Sequence, residues 1–160
     1  RFEEGLEARR AFDRDFPDEP SALPGLAGNL AFMGHRQESE ALDSLWLPLV
    51  PRPLDPSWAI TFAWRGDTVR ARAILDTALV ALEEGRKLSP QGFAYAYLGL
   101  GQYDEALDWL ERAADESHYW LLRDPAFDPL VPDPRFQALW KRVGLKGEPK
   151  AGRQPARPAG

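Results

Sequence analysis

A two-helix pattern recurs along this chain at a fixed spacing. In its clearest copy, residues 93–113, small and aromatic residues share one face of a first helix, Gly101 begins a turn, and a second apolar stripe follows with helical spacing. Six positions in this copy have counterparts 35 residues earlier. The pairs are Ala59 and Ala94, Phe62 and Tyr97, Gly66 and Gly101, Ala71 and Ala106, Leu75 and Leu110, and Ala78 and Ala113. Such agreement at one spacing predicts successive helical hairpins that approach each other through small side chains.

Two weaker copies precede these. Ala27 and Gly34 fit a first helix and its turn. The second helix fits only if about two extra residues lengthen the turn through residues 35–38; it then presents Ala41, Leu42 and Leu45. Residues 1–20 have the phase of a second helix, so we expect its first helix to lie N-terminal to Arg1 in a longer chain.

This pattern resembles the tetratricopeptide repeat, a unit of about 34 residues that folds into two antiparallel helices. The resemblance implies an all-α fold, an α-solenoid of about three helical hairpins with a C-terminal capping helix. The prolines of residues 48–56 predict an extended connector between hairpins. The expected divisions are a repeat domain 1–145, containing a partial repeat 1–20, repeats 21–47, 54–88 and 89–117 and a capping segment 118–145, and a disordered basic tail 146–160.

Three Asp-Pro pairs characterise the capping segment. Asp124, Asp128 and Asp133 each place a helix-capping carboxylate before a proline suited to the first helical turn. The last of them should begin a helix that Gly144 ends in a Schellman-type stop. The apolar face of that helix would consist of Phe136, Leu139, Trp140 and Val143.

The charge distribution argues against a nucleic-acid partner. The net charge is −5. Residues 146–160 contribute +3, which leaves −8 on the remainder, whereas phosphate binding needs clustered positive charge. The sequence lacks an apolar run of the roughly 20 residues that cross a bilayer. We therefore expect a cytoplasmic protein with no membrane partner.

The sequence offers no set of catalytic or metal-binding residues. There is no cysteine, and His35 and His118 are the only histidines. His118 near two acidic residues fits a polar helix end better than a general base. The Asp-Pro carboxylates are explained by helix capping, so they need no divalent metal. We therefore predict a protein that is not an enzyme and needs no cofactor.

The first helices of such repeats line the concave face of the superhelix. By helical phase, Asn29, Phe32, Ile60, Trp64 and Tyr95 should face this groove. Their alternative role is packing against the adjacent helix. The variant of these repeats that grips a C-terminal carboxylate needs basic residues on this face. The matching positions, Gly28, Ile60 and Tyr95, are not basic, so we predict no such clamp.

Three functions follow as hypotheses. The leading one is a non-catalytic scaffold that binds a protein or peptide partner in the concave groove. The second comes from residues 115–145, which resemble the end of tetratricopeptide arrays that follow bacterial serine/threonine kinases and winged-helix transcriptional regulators. That resemblance implies a regulatory or sensory segment of a larger protein, acting by intramolecular docking or oligomerisation. The third, an enzyme of unrecognised kind, would require a pocket with clustered polar residues.

Overall fold

The computed structural model describes residues 22–49 and 55–151, and within these ranges the chain is helical and contains no β-strand. The all-α prediction is therefore confirmed. The predictions for residues 1–20, for most of the proline-rich connector and for residues 152–160 fall outside the described ranges. The α-helices are α1 (Ala22–Phe32), α2 (Arg36–Ala41), α3 (Asp43–Trp46), α4 (Ala59–Trp64), α5 (Thr68–Glu83), α6 (Pro90–Gly99), α7 (Tyr103–Asp115) and α8 (Pro134–Arg142).

Short 3-10 helices join these elements. They cover Leu47–Leu49, Pro56–Trp58, Tyr119–Arg123 and Pro125–Leu130. None of the helices in the described ranges is long and apolar enough to cross a bilayer. Residues 145–151 form neither helix nor strand, although the Trp140 indole N–H donates to the Gly147 carbonyl at 2.9 Å.

Successive helices pack as hairpins, α1 with α2, α4 with α5 and α6 with α7. The first helices of the three hairpins also touch, since α4 contacts both α1 and α6. Four alanines that the repeat pattern marks as close-approach positions, Ala59, Ala71, Ala94 and Ala106, are each 0% exposed. A small side chain at these positions lets two helix backbones approach, because larger groups would hold them apart.

The register predicted for the second helix of the first hairpin is wrong. α2 begins at Arg36, directly after the Gly34 turn and without extra residues, and Ala41 and Leu45 are exposed. Ser39 takes the buried position, five residues after the turn glycine, as Ala71 and Ala106 do in the later copies. Its hydroxyl donates to the Ala27 carbonyl at 2.6 Å, so a small polar residue serves where an alanine was expected.

The capping segment is anchored largely as predicted. The Asp133 side chain accepts from the Arg135 N–H at the start of α8, and Gly144 ends the helix with φ of 74°. Asp124 likewise caps the 3-10 helix Pro125–Leu130. Asp128 does not cap a separate helix, because it lies inside the 3-10 helix Pro125–Leu130 that Asp124 caps.

A Schellman motif ends each of α1, α4, α5, α6, α7 and α8. In each, the second residue after the helix has a positive φ. The N–H of the residue that follows it donates back to the last turn, as Gln102 does to the Tyr97 carbonyl at 3.0 Å. Five of these residues are glycines. At the end of α7 it is Ser117, with φ of 70°, a conformation that costs an L-residue free energy.

Replacing Ser117 with glycine is therefore expected to raise the free energy of unfolding by about 0.5–1 kcal/mol, because glycine adopts the left-handed conformation without a Cβ clash. Equilibrium urea denaturation measures the change. Ser89→Gly is the matched control: φ there is −70°, so glycine should lower stability slightly. Loss of stability in Ser117→Gly would show that the serine side chain contributes more than its backbone strain costs.

Candidate binding groove

The five residues predicted to face a groove come together around one cavity. Asn29 and Phe32 from α1, Ile60 and Trp64 from α4, and Tyr95 from α6 all line a space of about 290 Å³. They converge because residues three or four apart on a helix lie on the same face, and α4 packs against both α1 and α6. Their shared location is a property of the fold, and their role in binding stays a prediction.

Aromatic rings form much of the cavity wall. The Phe32 and Trp64 rings lie 4.8 Å apart between centroids, inclined at 54°. Phe32 is buried, whereas Trp64 is half-buried and keeps surface for a ligand. Trp58, at the end of the 3-10 helix before α4, also lines the cavity, and sequence reasoning missed it. Its ring packs edge-on against the ring of buried Trp46, with 5.0 Å between the centroids, and this contact restricts its orientation.

Glycines set how closely the first helices approach. A Cβ on Gly99 of α6 would lie 2.8 Å from the Ile60 Cα of α4, and a Cβ on Gly28 of α1 would lie 3.1 Å from the Thr61 Oγ1. Phe32, Trp64 and Gly99 occupy equivalent positions, each two residues before the turn glycine of its hairpin. Because the third of them is glycine, α6 contributes no side chain at this position. A second space of about 360 Å³ lies there, between Trp64, Gly99 and Pro129.

The C-terminal segment closes one side of the groove. The Tyr95 O–H donates to the Asp124 Oδ2 at 2.5 Å, and the Tyr95 ring lies 4.9 Å from that of buried Phe127. Burial, and then the charge of Asp124 and the hydrogen bond to it, raises the pKa of the Tyr95 phenol well above its usual value. The phenol is therefore protonated at neutral pH and holds Asp124 against the cavity.

Asp124 is another residue of the site that sequence reasoning missed. Its Oδ1 accepts from the Ala126 N–H at 2.8 Å, which is the capping role predicted for it. Asp124 also lines the cavity. Nothing local in the sequence indicates this second role, because it depends on Tyr95, which lies 29 residues earlier in the chain.

Asp124 is also the main charged feature of the described cavity wall. Among the described residues that line it, Asp124 is the only aspartate or glutamate, and no lysine, arginine or histidine is present. Elsewhere in the described ranges, no group of three histidine, cysteine, aspartate or glutamate side chains is placed to hold a metal ion. The described wall of the cavity thus combines aromatic residues with one acidic residue.

No protein-family model, no curated protein and no solved structure matches this chain. Its resemblance to tetratricopeptide repeats therefore rests on the residues of the repeat pattern.

Proposed function

We propose that the chain is a non-catalytic scaffold of the tetratricopeptide kind, in which the hairpins continue as an α-solenoid and the concave face binds a protein or peptide. The observation that carries this proposal is the convergence of Asn29, Phe32, Ile60, Trp64 and Tyr95 on one cavity. These residues belong to the first helices of three hairpins, which is where a stacked repeat would place its groove.

The packing of the helices supports the same proposal. Each first helix contacts its own second helix, and α4 also contacts both α1 and α6. Alanines at equivalent positions of the hairpins, Ala59, Ala71, Ala94 and Ala106, are buried. An extended or helical segment is the ligand that suits an apolar face built from several packed helices. A cavity of about 290 Å³ lies at the lower end of the roughly 300–1,000 Å³ that accommodates drug-sized molecules, so it suits one or two side chains of such a segment.

Selection of short random peptides, with amidated C termini, on the full chain tests the groove directly. Trp64→Ala is expected to weaken binding of the selected peptides at least tenfold, because aromatic anchors near the centre of an interface usually dominate its energetics. The amidated terminus also removes any contribution from a carboxylate clamp.

Trp120→Ala is the matched control. Trp120 lies in the 3-10 helix after α7, is 50% exposed and does not line the cavity, so its removal should change affinity less than twofold. Circular dichroism confirms that both variants keep their helix content. Equal effects of the two substitutions, or selection of no binding peptide at all, would refute the groove.

A further inference from the structure

Among the described residues, the cavity combines aromatic walls with one acidic residue, Asp124, and we propose that it accepts an arginine side chain of the partner peptide. This inference rests on the proposed function, because it names the chemistry of the ligand that the groove binds. It uses the position of Asp124, which the helical phase of the repeats does not determine.

Asp124 has capacity left for a ligand. A carboxylate accepts about four hydrogen bonds, two at each oxygen. Within the described part of the chain, Asp124 uses one at Oδ1, from the Ala126 N–H, and one at Oδ2, from the Tyr95 O–H. The capping bond and the phenol fix the orientation of the carboxylate before any ligand arrives. A donor group entering the cavity would therefore meet a preorganised acceptor.

The walls favour a cation over a neutral donor. Trp58, Trp64 and Tyr95 all line the cavity, and the face of an aromatic ring attracts a positive charge. No described lining residue is basic, so nothing in the described wall neutralises the Asp124 charge or repels an incoming cation.

Arginine fits these two features better than lysine does. Its planar guanidinium stacks on aromatic rings and is less strongly hydrated than an ammonium, so its transfer into a largely apolar cavity costs less. Its forked donors also reach a carboxylate whose oxygens are already partly occupied. The acidic body of the chain, with a net charge of −8 outside residues 146–160, favours approach of a basic segment.

The test uses the peptides selected on the full chain. We expect arginine to be enriched at one position. Isothermal titration calorimetry should then show at least a tenfold loss of affinity when that arginine is replaced by citrulline, which keeps the shape of the side chain and removes its charge. This comparison needs no change in the protein.

Asp124→Asn supplies the complementary evidence. Asparagine also caps helices, so the substitution removes the charge while a capping oxygen remains. We expect it to weaken the arginine peptide about tenfold and to leave the citrulline peptide nearly unchanged. Asp133→Asn is the matched control, because Asp133 caps α8 in the same way, through Oδ1 and the N–H two residues later, but does not line the cavity.

The outcomes separate the two proposals. Selected peptides that carry apolar or acidic anchors, and that still lose binding with Trp64→Ala, would overturn the arginine proposal and leave the groove standing. Failure to select any peptide would overturn both. Self-association of the chain that Trp64→Ala and Asp124→Asn both weaken would identify a second copy as the occupant and overturn the peptide ligand.

Discussion

Replacing Arg65 with methionine is expected to lower the free energy of unfolding by about 3–5 kcal/mol, because it leaves a largely buried carboxylate without its main partner. The Arg65 side chain is only 2% exposed and joins the first two hairpins. Its Nη1 donates to the Asp43 Oδ2 at 2.8 Å, where Asp43 is 17% exposed. Its Nε and Nη2 donate to the Ser39 hydroxyl and carbonyl at 2.7 and 2.9 Å.

Equilibrium urea denaturation measures this loss, and Arg70→Met is the matched control. Arg70 lies 3.6 Å from the same Asp43 oxygen but is 42% exposed, so its removal should cost less than about 1 kcal/mol. Combining Arg65→Met with Asp43→Leu should recover part of the stability, since both buried charges are then gone. Similar small losses for Arg65→Met and Arg70→Met would show that the first hairpin is held by apolar packing alone.

The hydrogen bonds of Arg65 and Ser39 explain why the register of α2 was not predicted from the sequence. Ala71 and Ala106 were identified from sequence because a small apolar residue recurs at the same distance from each turn glycine. Ser39 occupies the same position in the first hairpin, but its polarity is tolerated only because Ala27 and Arg65 satisfy it. Those partners lie 12 and 26 residues away, so local periodicity contains no sign of them.

The candidate site likewise contains residues that the sequence predicts and one important residue that it does not. The positions of Phe32, Ile60 and Trp64 follow from helical phase, because residues on one helix face stay together once the hairpins pack. Asp124 was predictable as a helix cap and unpredictable as a cavity residue, since that role requires the C-terminal segment to fold back onto α6. The repeat pattern therefore predicts the helices and the faces they share. The position of the carboxylate depends on tertiary contacts that the pattern does not contain.

Replacing Gly99 with alanine should lower the free energy of unfolding by about 2 kcal/mol, against the preference of helices for alanine. Alanine is favoured over glycine by up to about 1 kcal/mol within a helix. Overpacking costs typically 1–3 kcal/mol and occasionally more, and here the nearest atom, 2.8 Å from the new Cβ, is the Ile60 Cα. A backbone atom cannot rotate aside, so α4 and α6 must separate and disturb the Tyr95 side of the groove.

Gly28→Ala distinguishes this clash from a general effect of glycine. Its new Cβ would lie 3.1 Å from the Thr61 Oγ1, the nearest atom outside α1 in the described part of the chain. This is a side-chain atom that moves by rotation about one bond. Helix propensity should then roughly offset the contact, and we expect a change within about 0.5 kcal/mol. Urea denaturation of both variants measures the difference. If Gly99→Ala is as stable as the parent chain, α4 and α6 adjust without cost, and close approach at Gly99 does not fix the spacing of the groove.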